Sequence, residues 1–296
     1  MSAQAGDASQ AIAAHRSASR SLHRRRRMIA MVGWVLCGSA LAVLGGAMLW
    51  IILMVLIRGI GALNLTVLTE ITQGTGGGLL NAIEGTAVIA AGTLILAVPF
   101  GIAAGIYIAE FRHTAWARII RFLSDVLVGV PSIVLGYFGY IAMVEWGGWH
   151  FSVAAASITL AVLCLPYICR TTELALREVP DTLREAGYAM GAGPATVTFR
   201  LSMKTALPGV LTGVLLALAI SVGETAPLLY TAGWSNYLWD GHLTHSPIGY
   251  LTYAIWAFIN EPFASANELA YAAAFLTTGF VLVVSLASRL LLMRKV

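Results

Sequence analysis

Six long apolar stretches constrain this chain more than any other feature. They cover roughly residues 29–57, 82–109, 122–144, 151–169, 209–232 and 270–292. A helix needs about 20 apolar residues to cross the hydrocarbon core of a bilayer. The whole chain is 58% hydrophobic and 11% charged, whereas soluble domains carry about 25% charged residues. The stretches are continuous rather than alternating, so the sequence predicts an all-α integral membrane protein with six transmembrane helices.

The basic residues predict the orientation of these helices. All of the 18 Lys and Arg residues except Arg58 lie before the first stretch, at or after the end of the last, or in alternate loops between them. Cytoplasmic segments of membrane proteins carry such an excess. We therefore expect both termini and the loop over 170–208 to be cytoplasmic, with lipid around the spans. The net charge of +4 then needs no nucleic-acid partner to explain it.

The ends of the chain suggest a simple domain organisation. Residues 1–28 are rich in Ala, Ser and Arg, which predicts a disordered, basic, cytoplasmic N-terminus. The apolar run that follows is too long for a cleaved signal peptide. Residues 29–296 then form one transmembrane domain, in which we find no internal repeat.

The polar loop over 182–208 carries the most specific motif of the chain. Its residues 184–195 read REAGYAMGAGPA, in which small residues permit close approach of another protein. Glu185 can meet a basic partner. The spacing from Glu185 to Leu201 resembles E-A-A-x3-G-x9-I-x-L-P, the motif of permease subunits of type I ABC importers. It departs where Gly replaces the second Ala and where Met203-Lys204 replaces Leu-Pro. The resemblance implies a coupling helix that docks on an ATPase through Glu185, Ala186, Gly187, Gly191 and Pro194.

Three further motifs narrow the resemblance. They are GIYIAE over 105–110, GVPSIVLG over 129–136 and GETAPLL over 223–229. Together they are similar to those of phosphate-specific ABC permeases of the PstA type. The resemblance implies the type I importer permease fold and a bacterial inner-membrane location. It also implies import of inorganic phosphate with a PstC-type permease, two copies of an ATPase that binds ATP and Mg, and an external phosphate-binding protein.

Glu224 is the residue that physical reasoning selects independently of the resemblance. It lies about 15 residues, or roughly 22 Å, inside the fifth apolar stretch. An ionisable group at that depth is costly and is by default functional, although a protonated Glu224 could simply link two helices. A lone carboxylate would repel an anion, so we expect Glu224 to pair with a cation or to act as a gate together with Thr225. Pro227 should loosen the helix at this point.

Other polar residues near the spans are candidates for the pathway. Pro131 should bend the third span, next to Ser132. Arg170 and Glu173 are spaced for an i, i+3 ion pair, with either a pathway role or a simple interfacial role. Many PstA-type permeases, which this chain resembles, carry an arginine where this chain has Ile220. The positive charge for an anion must then come from the partner permease, from Arg170 or from helix amides.

The sequence also argues against several chemistries. Neither Lys204 nor Lys295 follows a glycine, so the chain lacks a phosphate-binding P-loop and is not expected to hydrolyse ATP or to bind a cofactor itself. His242 and His245 lack the third ligand of a metal site. Three alternatives stay open: a permease for another oxyanion such as molybdate or sulfate, an ion-coupled secondary transporter, and a membrane-embedded hydrolase.

Overall fold

The computed structural model describes the backbone of residues 2–293 and the side chains of residues 26–290. A short hairpin pairs strand β1 (Thr72–Gln73) with β2 (Gly76–Gly77). Two segments, Tyr140–Glu145 and Val197–Ser202, are π-helical. The α-helices are α1 (Ser2–Ala62), α2 (Leu65–Thr69), α3 (Leu80–Glu110), α4 (Ala115–Gly129), α5 (Ser132–Gly139), α6 (Val153–Arg177), α7 (Asp181–Ala189), α8 (Pro194–Thr196), α9 (Met203–Gly223), α10 (Ala226–Thr231), α11 (Leu251–Phe258) and α12 (Ala264–Met293).

The chain divides into two units between Leu56 and Ile57. Most of helix α1 belongs to the first unit, and its apolar part is long enough to cross a membrane. The helix begins at Ser2, so the structure has helix where the composition of residues 1–28 predicts disorder. Alanine, which is frequent in this segment, is the strongest helix former, and an existing helix is extended more easily than a new one is started.

Five helices are long and apolar enough to cross a membrane, and a sixth crossing comes from a bent pair. Helices α4 and α5 with its π-helical extension meet at an angle of 102°. The prediction of one continuous span over 122–144 is therefore wrong in its geometry, although the bend lies at Pro131 as expected. Proline removes a backbone donor and disfavours helical geometry in the residue before it, which ends α4 at Gly129.

The bent pair runs from one end of α6 to the other. Arg121 on α4 bonds Glu173 near the C-terminal end of α6. After the π-helical segment, the chain reaches Ser152, which caps the N-terminus of the same helix. A helix of 25 residues is about 37 Å long. The pair therefore covers the distance of a membrane crossing, and counted as one span it is the sixth candidate crossing among the described residues.

Helix α6 lies in the centre of the second unit and packs tightly on α3. An ideal Cβ built at Gly101 would lie 2.8 Å from Cβ of Ile168, and one at Gly105 would lie 2.6 Å from Cβ of Thr172. Small residues let membrane helices approach closely and gain dispersion contacts. The α3–α6 pair is thereby fixed, and it provides a rigid support for the polar residues on α6.

The fifth apolar stretch is interrupted, whereas the sequence predicts only a loosened helix. Helix α9 ends at Gly223 and α10 starts at Ala226. Pro227 has no N–H to donate, and its ring would clash with the carbonyl four residues earlier, which is that of Gly223. The break therefore lies before the proline, at Glu224 and Thr225, so that the carboxylate stands at the break itself.

The segment between α10 and α12 folds back onto the bundle. The side-chain amide of Asn81 donates to the carbonyl of Ser235 at 2.8 Å, and the N–H of Leu251 donates to the hydroxyl of Thr86 at 2.9 Å. Tyr250 is 1% exposed. The apolar part of this segment is too short to span, and it dips into the helix bundle as α11.

Candidate functional site

Two interrupted helices bring together three of the predicted pathway residues, Ser132, Glu224 and Thr225. The side chain of Ser132, in the first turn of α5, lies against the carboxyl group of Glu224. Four residues further along α5, a Cβ at Gly136 would collide with Cα of Pro227. The close contact between α5 and α10 thus places the break after α4 beside the break after α9. We call this site, formed by Ser132, Glu224 and Thr225, the break site.

The break site is polar and half open. Glu224 and Thr225 are half-buried, while Gly129 and Gly223 at the two helix ends are exposed. The backbone carbonyl of Glu224 accepts a 2.7 Å hydrogen bond from the hydroxyl of Thr252, next to the start of α11. Among the described side chains, no Arg or Lys forms an ion pair with Glu224. The expected cation partner is therefore absent from residues 26–290, and the role of Glu224 as a gate stays a prediction.

A second polar centre surrounds Glu173, whose side chain is 1% exposed. The Nη2 atoms of Arg121 and Arg177 each lie 2.7 Å from its Oε1, and Nη1 of Arg170 lies 2.7 Å from its Oε2. Nε of Arg121 also donates to Oε1 at 3.2 Å. We call these four residues the arginine cluster.

The sequence predicted only part of the arginine cluster. The i, i+3 pair of Arg170 and Glu173 is confirmed. The i, i+4 spacing of Glu173 and Arg177 is an equally clear signal for a second ion pair, although only the first pair was predicted. Arg121 lies 52 residues away in the chain, so only the fold brings it to Glu173. Helix α6, which carries three of these four residues, ends at Arg177, eight residues beyond the predicted end of the fourth span at residue 169.

The predicted coupling segment forms helix α7, which is anchored through Arg184. Nη1 of Arg184 lies 2.8 Å from Oε1 of Glu110 at the end of α3, and its Nη2 donates to the carbonyl of Leu176 at 2.9 Å. Gly187 is buried, and a Cβ there would lie 2.6 Å from Cδ1 of Leu201. The glycine that departs from the E-A-A motif therefore lets α7 lie close to the following π-helical segment.

The opposite face of α7 is open. Glu185 and Ala186 are exposed, and Met190 at the end of the helix is 88% exposed. Gly191 ends the helix with a φ of +80°, a conformation that glycine adopts without strain, and Pro194 is exposed just beyond it. An exposed helix of small, apolar and acidic residues is suited to contact another protein.

The two histidines against which the sequence argues as a metal site, His242 and His245, do not stack on each other. His245 lies against His150, with ring centroids 5.0 Å apart, rather than against His242. The backbone N–H of His242 donates to the Asp240 carboxylate at 2.9 Å, and this bond lowers the pKa of that carboxyl. Within the described residues, no group of three His, Cys, Asp or Glu side chains is placed to hold a metal ion.

Comparison with known proteins places this arrangement in a family. Residues 101–295 match the family described as "binding-protein-dependent transport system inner membrane component". The chain belongs to this family. It is 45% identical over 272 residues to the phosphate transport system permease protein PstA 2 of Mycobacterium bovis, covering 92% of this chain and 90% of that protein. It is 40% identical over 255 residues to PstA of Yersinia pestis, covering 84% of each.

The fold comparison agrees with the sequence comparison. The inward-facing MetNI methionine ABC transporter superposes with a TM-score of 0.56 at 22% identity, over 72% of this chain and 93% of that one. The protein is thus a multi-pass membrane subunit of an ABC importer. Its family works with a separate ATPase and a substrate-binding partner. Family membership decides against the secondary transporter and the embedded hydrolase.

Proposed function

We propose that this chain is one of two permease subunits of an ATP-driven importer of inorganic phosphate. The observation that carries the proposal is 45% identity with a phosphate transport permease over 92% of the chain. The match includes both helix breaks and the coupling segment, since it leaves out only a small part of the chain. A permease for molybdate or sulfate would share the fold, so the substrate has to be tested directly.

The break site supports a pathway shared with a second permease. Its half-buried carboxylate forms no ion pair with the described side chains, and Gly129 and Gly223 at the two helix ends are exposed. Polar groups and free helix ends at membrane depth are tolerated only where protein covers them or water lines them. We infer that a PstC-type permease covers this face and that phosphate passes between the two subunits. Glu224 and Thr225, with Ser132 opposite, would then form the gate.

The anchoring of α7 supports a coupling mechanism. Arg184 joins α7 to the ends of α3 and α6, and these two helices pack rigidly on each other. A displacement of α7 by an ATPase would therefore move both helices together. We infer that closure of two ATPase subunits on ATP moves α7 and opens the opposite end of the pathway, and that hydrolysis reverses the movement. ATP and Mg would bind to the ATPase alone.

The distribution of positive charge supports the orientation of this proposal. Arg184 and the arginine cluster lie at the same end of α6 as the coupling helix. Positively charged segments remain on the cytoplasmic side. The coupling helix and both termini then face the cytoplasm of a bacterial inner membrane, where the ATPase is found, and the segment between α10 and α12 faces outward.

The substrate proposal is tested by reconstitution. The chain, its partner permease, the ATPase and the binding protein are placed in liposomes that enclose ATP, and uptake of radiolabelled phosphate is measured. We expect saturable uptake that requires ATP and resists excess molybdate and sulfate. Preferential uptake of either competitor would assign another oxyanion. Phosphate uptake by this chain without the ATPase would refute the proposed ATP-driven mechanism.

The docking proposal is tested by one pair of glycine substitutions. Gly191 and Gly241 both have positive φ, +80° and +85°, and open space around them. Gly191→Trp should block co-purification of the ATPase, because the bulky ring would stand on the docking face. Gly241→Trp introduces the same backbone strain in the segment after α10 and should leave co-purification unchanged. Equal recovery of the ATPase with both variants would refute the assignment of α7.

A further inference from the structure

The arginine cluster carries more positive charge than its buried carboxylate requires. Three guanidinium groups, each within 2.7 Å, surround one carboxylate, which leaves a surplus of two positive charges (three minus one). A single arginine in bidentate contact already neutralises a carboxylate. Asp125 lies one turn after Arg121 on α4 but forms no ion pair with the described side chains. Within the described part of the chain, no second carboxylate is in ion-pair contact with these three arginines.

The donors that remain are accessible. Each guanidinium has five N–H donors, and Arg170 and Arg177 each use one nitrogen on Glu173. Their side chains are 46% and 43% exposed, whereas that of Glu173 is 1% exposed. Glu173 thus holds the three arginines from the buried side, while the partly exposed side chains of Arg170 and Arg177 keep N–H groups that it does not use. This is a preorganised set of donors for an oxyanion.

The cluster lies on the way from the break site to the cytoplasmic end of the bundle. Cys164 on α6 contacts the carbonyl of Ala217 on α9, and Ala217 lies about two helical turns before Glu224. Glu173 is nine residues further along α6, or about 14 Å. Helix α4 connects the same two places, because it carries Arg121 and ends at the break before Ser132. An anion that leaves the break site toward the coupling helix therefore approaches the surplus charge.

We propose that Arg121, Arg170 and Arg177, held by Glu173, form an inner binding site for the phosphate oxyanion. This inference rests on the proposed function, because it gives the importer the positive charge that the break site lacks. Phosphate would accept hydrogen bonds from the free guanidinium N–H groups before release. The same chemistry is offered by the phosphate of an anionic lipid headgroup, so the test has to separate the two sources.

The test measures binding of inorganic phosphate to the nucleotide-free complex in nanodiscs of phosphatidylcholine alone. Arg170→Gln should weaken binding about tenfold, because a charge-assisted hydrogen bond is lost. Glu173→Gln raises the surplus charge, keeps an acceptor oxygen for the arginines, and should tighten binding. Arg118→Gln is the control, since Arg118 is exposed on the same helix as Arg121 and belongs to no ion pair. It should leave binding unchanged.

The opposite signs separate a binding site from a structural clamp. A clamp predicts that Arg170→Gln and Glu173→Gln weaken binding together, and that outcome overturns the proposal. So does the absence of saturable phosphate binding by the unmodified complex. An effect of Arg170→Gln that appears only when phosphatidylglycerol is added would assign the cluster to lipid instead.

Co-purification of the ATPase confirms that each variant is assembled. If Glu173→Gln does not assemble, Arg170→Lys decides, because it keeps the charge and should retain most of the binding that Gln loses. Phosphate uptake by the unmodified complex tests the proposed function separately. If the unmodified complex takes up phosphate and Arg170→Gln binds phosphate as well as the unmodified complex does, only the inner site is refuted. If the unmodified complex takes up another oxyanion in place of phosphate, the proposed function is refuted.

Discussion

Glu173 and Glu224 are two carboxylates in the same helical bundle with opposite surroundings. Glu173 is fully buried and receives three arginines at 2.7 Å. Glu224 is half-buried, with Ser132 beside its carboxyl and Thr252 on its carbonyl. The first is overcompensated inside the chain, and the second lacks a cation partner among the described residues. Burial of a charge is tolerated only when it is paired, so Glu173 belongs to the folded structure and Glu224 depends on what covers it.

The largest difference that we predict between the two carboxylates is their effect on the stability of the complex. Glu173→Ala removes the common partner of three arginines, and we expect the complex to lose about 3 kcal/mol of unfolding free energy, near the lower value for broken buried ion pairs because the arginines reach water. Glu224→Ala breaks no ion pair with the described side chains and should lose less than about 1 kcal/mol. Unfolding of the purified complexes in increasing SDS measures both. Equal losses would mean that the two carboxylates have the same structural role.

For phosphate transport we expect the reverse order, with the larger effect at Glu224. Glu224→Gln removes the charge at the break site while keeping its size, and we expect phosphate uptake to fall about 100-fold, which corresponds to roughly 2.7 kcal/mol. The complex should still purify intact. Glu268→Gln, at an exposed position on α12, serves as the matched control with normal uptake. Full uptake by Glu224→Gln would make Glu224 a structural residue.

The sequence predicted the elements of the fold better than their geometry. Apolar length alone located six crossings, because the bilayer requires it. The same signal cannot tell a straight helix from the 102° bend between α4 and α5, since composition is identical in both. Pro131 and Pro227 did indicate where the helices change direction. They did not reveal that both breaks lie side by side, because that depends on contact between α5 and α10.

The candidate site was predictable where its residues are close in the chain. Glu224 and the pair of Arg170 and Glu173 follow from depth and helical spacing. Arg121 and Thr252 are not accessible to such reasoning, because each reaches its partner only through tertiary packing. The lack of a cation beside Glu224 could not be predicted for the same reason. The sequence shows that a carboxylate is present, but not which residues face it.

A glycine substitution tests whether the contact between the two helix breaks matters. At Gly136 an added methyl group would meet the backbone of Pro227, whereas Gly129 has open space around it. Overpacking against backbone costs about 2 kcal/mol, so Gly136→Ala should destabilise the complex and reduce uptake, while Gly129→Ala should do neither. SDS unfolding and phosphate uptake are measured on both. Normal uptake by Gly136→Ala would show that the break site functions without this close approach.

The smallest predicted effect concerns the hydrogen bond between Thr252 and the Glu224 carbonyl. Thr252→Val should lower the unfolding free energy by about 1 kcal/mol, because the break leaves that carbonyl without a helical donor. Thr277→Val also removes a buried hydroxyl, but its acceptor, the Ala273 carbonyl, lies inside α12 and keeps its helical N–H partner. A larger loss for Thr252→Val would therefore show that the segment after α10 satisfies the break in α9. Equal losses would mean that water or a partner subunit already satisfies the carbonyl of Glu224, and the break site would then be more open than the contacts of this chain indicate.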